Sequence, residues 1–215
     1  MPRSVAVLAL LFCALIWGVA FLTMKSAMDH MGPFTFTGIR YLMAGIAVLP
    51  IAIWEYRRKK RIVGTPLSRS QKQLLVLLSA LFLVATYLQQ AGLITATVTN
   101  GGFLTALYVL FVPIIAFVVT RHKPHPVLYL GVPMALVGIF YLNGGALDGF
   151  VSGDFLLMAS AVFWAGHMFT LGTMVQTTGL PFTISVVSFL AAGLAALLIG
   201  VGIEAPSLAS ISEAW

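Results

Sequence analysis

Apolar residues run through this chain in long, nearly uninterrupted blocks. Seven such blocks stand out: Val5–Met24, Phe34–Trp54, Leu74–Ile94, Thr99–Val119, Pro126–Leu142, Phe155–Met174 and Phe182–Ile203. Each runs to about 17 to 22 residues, enough for a helix to cross a hydrocarbon core of roughly 30 Å. Most of the polar gaps carry turn chemistry: "DHMGP" at 29–33, "RHKPHP" at 121–126, "NGGALDG" at 143–149 and "TTGLP" at 177–181. Glycine and proline interrupt helices, so these gaps predict the boundaries. The gap "TATV" at 95–98 is so short that it predicts a tight antiparallel hairpin between the third and fourth spans. Arg3 before the first block fits a signal peptide, but no small-x-small cleavage site with a polar flank follows it. Further spans come at once, so the first block reads as an uncleaved helix.

Composition narrows this to one class. The chain is 60% hydrophobic and 8% charged, with a mean hydropathy of +1.02. A soluble domain carries about 25% charged residues, and this chain has too few to cover a wetted surface. The expectation is an all-α integral membrane protein.

The net charge of +6 does not point to nucleic acid. Seven of the twelve Lys and Arg residues lie between Arg57 and Lys72, in one gap between apolar blocks. That is a juxtamembrane basic segment, and such segments set topology. With the N-terminus in the cytoplasm, Arg3, Arg57, Arg58, Lys59, Lys60, Arg61, Arg69, Lys72, Arg121 and Lys123 all fall inside. Lys25 alone falls outside, and Arg40 lies within a span. The expected topology is therefore N-in with seven spans. Cys13, the one cysteine, lies in an apolar block and says little about redox compartment.

The chain also repeats itself. A shift of 147 residues places Trp17 on Trp164, Leu10 on Leu157, Ala14 on Ala161, Thr23 on Thr170 and Gly32 on Gly179. With one extra residue in the loop, "RYLMAGIAVL" from Arg40 lies over "SFLAAGLAAL" from Ser188. Leu42, Ala44, Gly45, Ala47 and Leu49 then meet identical residues. The repeating unit has five spans, an odd number, so a second copy enters the membrane from the opposite side. Such inverted-topology pairs are typical of secondary transporters, with the substrate site between the repeats near mid-membrane. Residues 1–150 form the expected first five-helix repeat, and 151–215 two helices of the second.

Several segments resemble one family. "ALIWGVAFLTMKSAM" in the first span looks like the opening of EamA-type members of the drug/metabolite transporter superfamily. "TNGGFLTALYVLFVPIIAFVV" resembles their fourth helix, with its small-residue start and late Pro113, and "LGVPMALVGIFYL" resembles their fifth. "DFLLMASAVFWAGHMF" resembles the start of their second repeat. The resemblance implies a ten-helix carrier for small metabolites, often an exporter, in a bacterial inner membrane. Two features depart from it. Many members carry a glutamate just after the fourth helix, where this chain has Arg121-His122-Lys123-Pro124. The sequence also stops at Trp215, with seven spans of an expected ten, which reads as a fragment or a truncated product.

The candidate substrate-binding residues are Trp17, Arg40, Gln89, Gln90, Tyr108, Trp164 and His167. Helical spacing places Ser160, Trp164, His167 and Leu171 on one stripe. An ionisable group at this depth faces protein or a water-filled cavity. His167 is either a cavity ligand or proton-linked switch, or a neutral histidine bonded to a neighbouring helix carbonyl. Its repeat partner is Ala20, so the two halves diverge there. Trp17 and Trp164 lie too deep for interfacial anchors and either flank the cavity or pack helices. In "TYLQQAGL", Thr86 and Gln90 share a face with Gln89 beside it; buried amides need partners, so each binds substrate or joins helices. Gly101, Thr105 and Tyr108 share a stripe, and Asn100 is expected to cap that helix rather than bind ligand. Gly101 and Gly102 are expected to let backbones approach closely. Arg40 either snorkels outward or meets an anionic substrate group.

Enzyme signals are absent: no HExxH, CxxC pair, GxSxG or phosphate-cradling glycine loop occurs, and these are the patterns such chemistry needs. No cofactor or metal is expected. The expected partners are a small-molecule substrate and membrane lipids, with a homodimer left open. Two other readings stay open: a carrier of lipids or lipid-linked sugars, and a non-transporting membrane subunit.

Overall fold

A computed structural model gives the fold and describes residues 3–63, 67–121, 126–142 and 150–207. The helices are α1 (Arg3–Ala27), α2 (Pro33–Val63), α3 (Arg69–Gly92), α4 (Val98–Ala106), α5 (Tyr108–Thr120), α6 (Val127–Leu142), α7 (Ser152–Thr178) and α8 (Pro181–Ile203). No strand occurs among the described residues. Lipid offers no hydrogen-bond partners, so a spanning segment must satisfy its own backbone, and helices do so. Six stretches are long and apolar enough to cross a membrane, with α4 and α5 counted as one span, Val98–Thr120. Helix α6, at 16 residues, is a shorter apolar helix in the place of the expected fifth span.

The helix ends follow local chemistry. Ser68 and Gln71 form a capping box at the start of α3. Thr97, not Asn100, caps α4: its side chain accepts from the Asn100 amide. Asn100 instead sends its side chain to Asp154 on α7, at 3.0 Å. Helix α7 ends at Gly179, whose φ of 64° is left-handed and costs a glycine little. Helix α8 then starts with Pro181 at its first turn, where no amide hydrogen is needed.

The fourth span is broken where the sequence predicts continuity. At Leu107 the turn tightens: its amide reaches the Leu104 carbonyl, and the Leu110 amide reaches the Leu107 carbonyl at 2.9 Å. Pro113, one turn on, lacks the amide that would bond to Val109.

Contacts between helix ends show that the spans alternate in direction. At one end Lys25 Nζ donates to the carbonyls of Leu93 (2.7 Å) and Ile94 (2.9 Å). There too the Gly153 amide donates to Thr95 Oγ1 at 2.9 Å. At the other end Glu55 of α2 meets the start of α8. The core gathers Phe21, Met24, Leu93, Leu104, Leu157 and Ala161 near the first end, and Leu78, Met174 and Ile184 near the second.

Helices α2 and α8 pack antiparallel and reciprocally. A Cβ on Gly45 would lie 2.6 Å from Leu190 Cδ2, and one on Gly193 would lie 3.0 Å from the Leu42 nitrogen. Leu42 and Leu190 are equivalent in the repeat, as are Gly45 and Gly193. Each leucine thus fills the hollow over its counterpart's glycine. The ends match too. Glu204 Oε1 accepts from the Phe34 amide (2.9 Å), and its Oε2 from the amide (2.8 Å) and hydroxyl (2.6 Å) of Thr35. Glu55 Oε1 accepts from the Phe182 amide (3.3 Å), and its Oε2 from the amide (2.7 Å) and hydroxyl (2.8 Å) of Thr183. This is a two-fold relation with its axis across the helices, as an inverted repeat requires.

Candidate functional site

Three helices place a polar group deep in the bundle. Arg40 and Tyr41 come from α2, and Thr86, Gln89 and Gln90 from α3, with Met24 of α1 beside them. These side chains close on one another and leave no room for a water molecule between them. Three residues here are nearly sealed: Thr86 is 3% exposed, Gln89 3% and Gln90 2%. Each amide reaches another helix. Gln90 Nε2 donates to the Met24 carbonyl at 2.8 Å. Gln89 Nε2 donates to Thr105 Oγ1 at 3.1 Å, just before the break in the fourth span.

Arg40 differs from its neighbours. Its guanidinium carbon stands 5.4 Å from the centre of the Tyr41 ring, a cation–π arrangement. Among the described residues it has neither a carboxylate nor a hydrogen-bond partner. It lies roughly 10 Å along α2 from Pro33, at about 1.5 Å per residue. Arg40 is thus a half-buried cation within a span, stacked on one ring.

An aromatic cluster adjoins this group. Phe82 is its centre, with ring centroids 4.6 Å from Tyr41, 5.2 Å from Phe189, 5.5 Å from Trp164 and 4.9 Å from His167. His167 Nδ1 lies 3.2 Å from the Leu78 carbonyl. A carbonyl oxygen only accepts, so Nδ1 carries the hydrogen and donates it to Leu78. So the bond of a structural histidine is present, and the ring still borders the polar group through Phe82 and Tyr41. The Trp164 Nε1 and Ser188 Oγ atoms are buried without a partner. Ser188 is the repeat counterpart of Arg40. Two such orphaned atoms among the described residues are unusual, since buried polar groups are nearly always paired.

The sequence candidates therefore fall into three places. Arg40, Gln89 and Gln90 share one polar group. Trp164 and His167 join it through the aromatic cluster. Trp17 and Tyr108 stand apart, 6.0 Å from each other. Trp17 lines an apolar groove of about 410 Å³ between α1 and α4, with Ala14, Gly18 and Gly102. Gly101 does allow a close approach, since a Cβ there would lie 2.7 Å from Leu93 Cδ2, whereas Gly102 has open space around it.

Sequence reasoning missed Tyr41, Phe82 and Phe189, which read as ordinary apolar filler. It also placed Asp154 at a span end without a role. That carboxylate is fully buried, at 0% exposure. Its Oδ1 accepts from Asn100, and its Oδ2 accepts from the Val151 amide at 3.0 Å, at the start of α7. Among the described residues no three His, Cys, Asp or Glu side chains gather to hold a metal.

Comparison with known proteins places these features. The model of the EamA-like transporter family matches residues 4–144. An uncharacterized transporter of Archaeoglobus fulgidus is 34% identical over 167 residues, which cover 77% of this chain and 48% of the relative. An uncharacterized transporter of Methanothermobacter thermautotrophicus is 24% identical, over 77% of this chain and 52% of its own. A probable amino-acid metabolite efflux pump of Salmonella typhimurium is 28% identical, over 79% of this chain and 54% of its own. The chain spans about half the length of these curated relatives. No solved structure matches it.

Proposed function

Since this chain belongs to the EamA-like transporter family, we propose that it works as a multi-pass carrier that moves small anionic or zwitterionic metabolites by alternating access. One observation carries the reading: Arg40, a cation within a span, is unpaired among the described residues and sits in a closed polar group beside an aromatic cluster, which would open to admit cargo. In this reading Arg40 takes the anionic group of the cargo. Tyr41 borders the group with Phe82 and Trp164 stacked behind it, and Gln89 and Gln90 hold α1, α3 and α4 around it. Arg40 and Ser188 hold equivalent positions in the proposed repeats, and carriers built from inverted repeats place their site between them.

Export is the proposed direction. It rests on one relative, whose name describes a probable amino-acid metabolite efflux pump. The proposed location is a bacterial inner membrane with the N-terminus in the cytoplasm, from the one-sided distribution of Lys and Arg. Residues 1–150 are taken as the first repeat and 151–215 as part of the second.

The exposed face of α1 supports an assembly larger than the helices described. On α7, Leu157, Ala161 and Ala165 are fully buried against α3, α4 and α5. Their repeat counterparts on α1, Leu10, Ala14 and Gly18, are exposed, with Leu10 at 70%. By the same two-fold relation, this face fits a helix pair of the α3 and α4–α5 type. A second copy of the chain does not offer one, because α7 already covers those helices.

The test is an export panel. Cells expressing the gene should release labelled amino acids or their derivatives faster than cells carrying Arg40→Ala. Equal release across the panel would reject the carrier reading.

A further inference from the structure

Helix α2 continues past the membrane-spanning part and turns cationic. Spacing of four residues stacks Pro50, Trp54 and Arg58 on one ridge, and Ile53 and Arg57 on the next. Together they line a groove of about 370 Å³, apolar at its inner part and doubly cationic at its outer part. Trp54 is 60% exposed and Ile53 41%, and Trp is the side chain that settles at the membrane–water boundary. The Arg58 guanidinium carbon lies 5.4 Å from the centre of the Trp54 ring.

Among the described residues no acid answers these charges. Among the described residues neither Arg57 nor Arg58 forms an ion pair or hydrogen bond. Glu55, the nearest acid in sequence, spends both oxygens on the N-terminus of α8. The rise from Pro50 to Arg58 is roughly 12 Å, at about 1.5 Å per residue. That spans the step from the upper acyl chain of a phospholipid to its phosphate.

We propose that this groove binds an anionic phospholipid: Arg57 and Arg58 hold the headgroup phosphate, and Pro50, Ile53 and the Trp54 ring line its glycerol and upper acyl chains. Guanidinium groups suit this task, because their planar forks meet phosphate oxygens two at a time. A soluble phosphate has no use for the apolar part of the groove, and a neutral lipid has none for the unpaired guanidiniums. The site depends neither on transport nor on the identity of the cargo.

The test is quenching of Trp54 fluorescence in vesicles of phosphatidylcholine doped with brominated lipid. Trp54→Phe isolates the Trp54 signal from that of the other tryptophans. Brominated phosphatidylglycerol should quench Trp54 with an apparent affinity at least about fivefold above that of brominated phosphatidylcholine, as expected when two cations act at a membrane surface. Arg57→Gln/Arg58→Gln should abolish the preference, while Arg69→Gln/Lys72→Gln should keep it. Soluble glycerol phosphate should not compete. Equal quenching by the two lipids would overturn the proposal. So would equal loss in the Arg69/Lys72 variant, which would indicate general surface charge, and competition by glycerol phosphate would assign the site to a free anion.

Discussion

Glu55 and Glu204 stand at opposite ends of the α2–α8 pair and bind the same three donors, a phenylalanine amide and the amide and hydroxyl of the next threonine. Each carboxylate thereby caps a helix that belongs to the other half of the repeat. A negative charge at a helix N-terminus is favourable, because the amides there lack intrahelical partners and the dipole is positive. The two clasps hold at the same time, and the Gly45–Leu190 and Gly193–Leu42 contacts lie between them. The two helices are thus tied together at both ends and in the middle.

Loss of either clasp should cost stability. We expect Glu55→Ala and Glu204→Ala each to destabilise the protein by about 1 to 2 kcal/mol, the range for losing a helix cap. The two sites lie roughly a helix length apart, about 30 Å, so the double variant should be additive. Denaturation in bicelles reads this out. A strongly non-additive result would mean that the two ends do not act as separate caps.

Glycine positions at this interface should not be interchangeable. A Cβ on Gly200 would lie 2.8 Å from the backbone nitrogen of Thr35, which cannot move aside without the helix. Gly200→Ala should destabilise by about 2 kcal/mol, as overpacking does. Gly172 has nothing within 4 Å of a Cβ. Gly172→Ala should be neutral or slightly stabilising, by up to about 1 kcal/mol, from helix propensity alone. Equal effects at the two positions would contradict the packing described for α2 and α8.

The open face of α1 carries its own reporter. Cys13 is exposed there, and its repeat counterpart Ser160 is fully buried. A lipid-soluble carbene reagent, which inserts into bonds without needing a thiolate, should label the Cys13 face of α1 readily in the 215-residue chain. Co-expression with the later helices of the Archaeoglobus fulgidus relative should suppress that labelling, and Leu10→Glu should restore it. Labelling unchanged by the added helices would show that they do not cover this face.

Much of the fold was legible because lipid imposes a simple rule on sequence: a span needs about 20 apolar residues. Six of the seven expected blocks each fall on one helix, and the fourth falls on two, α4 and α5. The clasps are not legible in this way, because an acid beside a span, such as Glu55 or Glu204, does not name the helix end it reaches. A signal was present: Pro33-Phe34-Thr35 is repeated as Pro181-Phe182-Thr183. The break at Leu107 had only Pro113 as a hint, and a proline in a membrane helix often leaves it continuous. Which helix an amide reaches, as Gln90 reaches Met24, depends on three-dimensional neighbours that a helical wheel does not supply. Lys25 looked like a loop charge and serves instead to close the end of α3.

The central claim is that Arg40 receives the anionic group of a transported metabolite. Its most direct measurement is uptake of a labelled amino acid or amino-acid derivative into proteoliposomes holding the expressed gene product, as wild type, Arg40→Lys and Arg40→Ala, with folding checked by thermal denaturation. The account predicts saturable uptake in wild type, a raised KM in Arg40→Lys, where the charge remains without the planar fork, and loss of uptake in a folded Arg40→Ala. Saturable uptake with the same KM in all three proteins would contradict it.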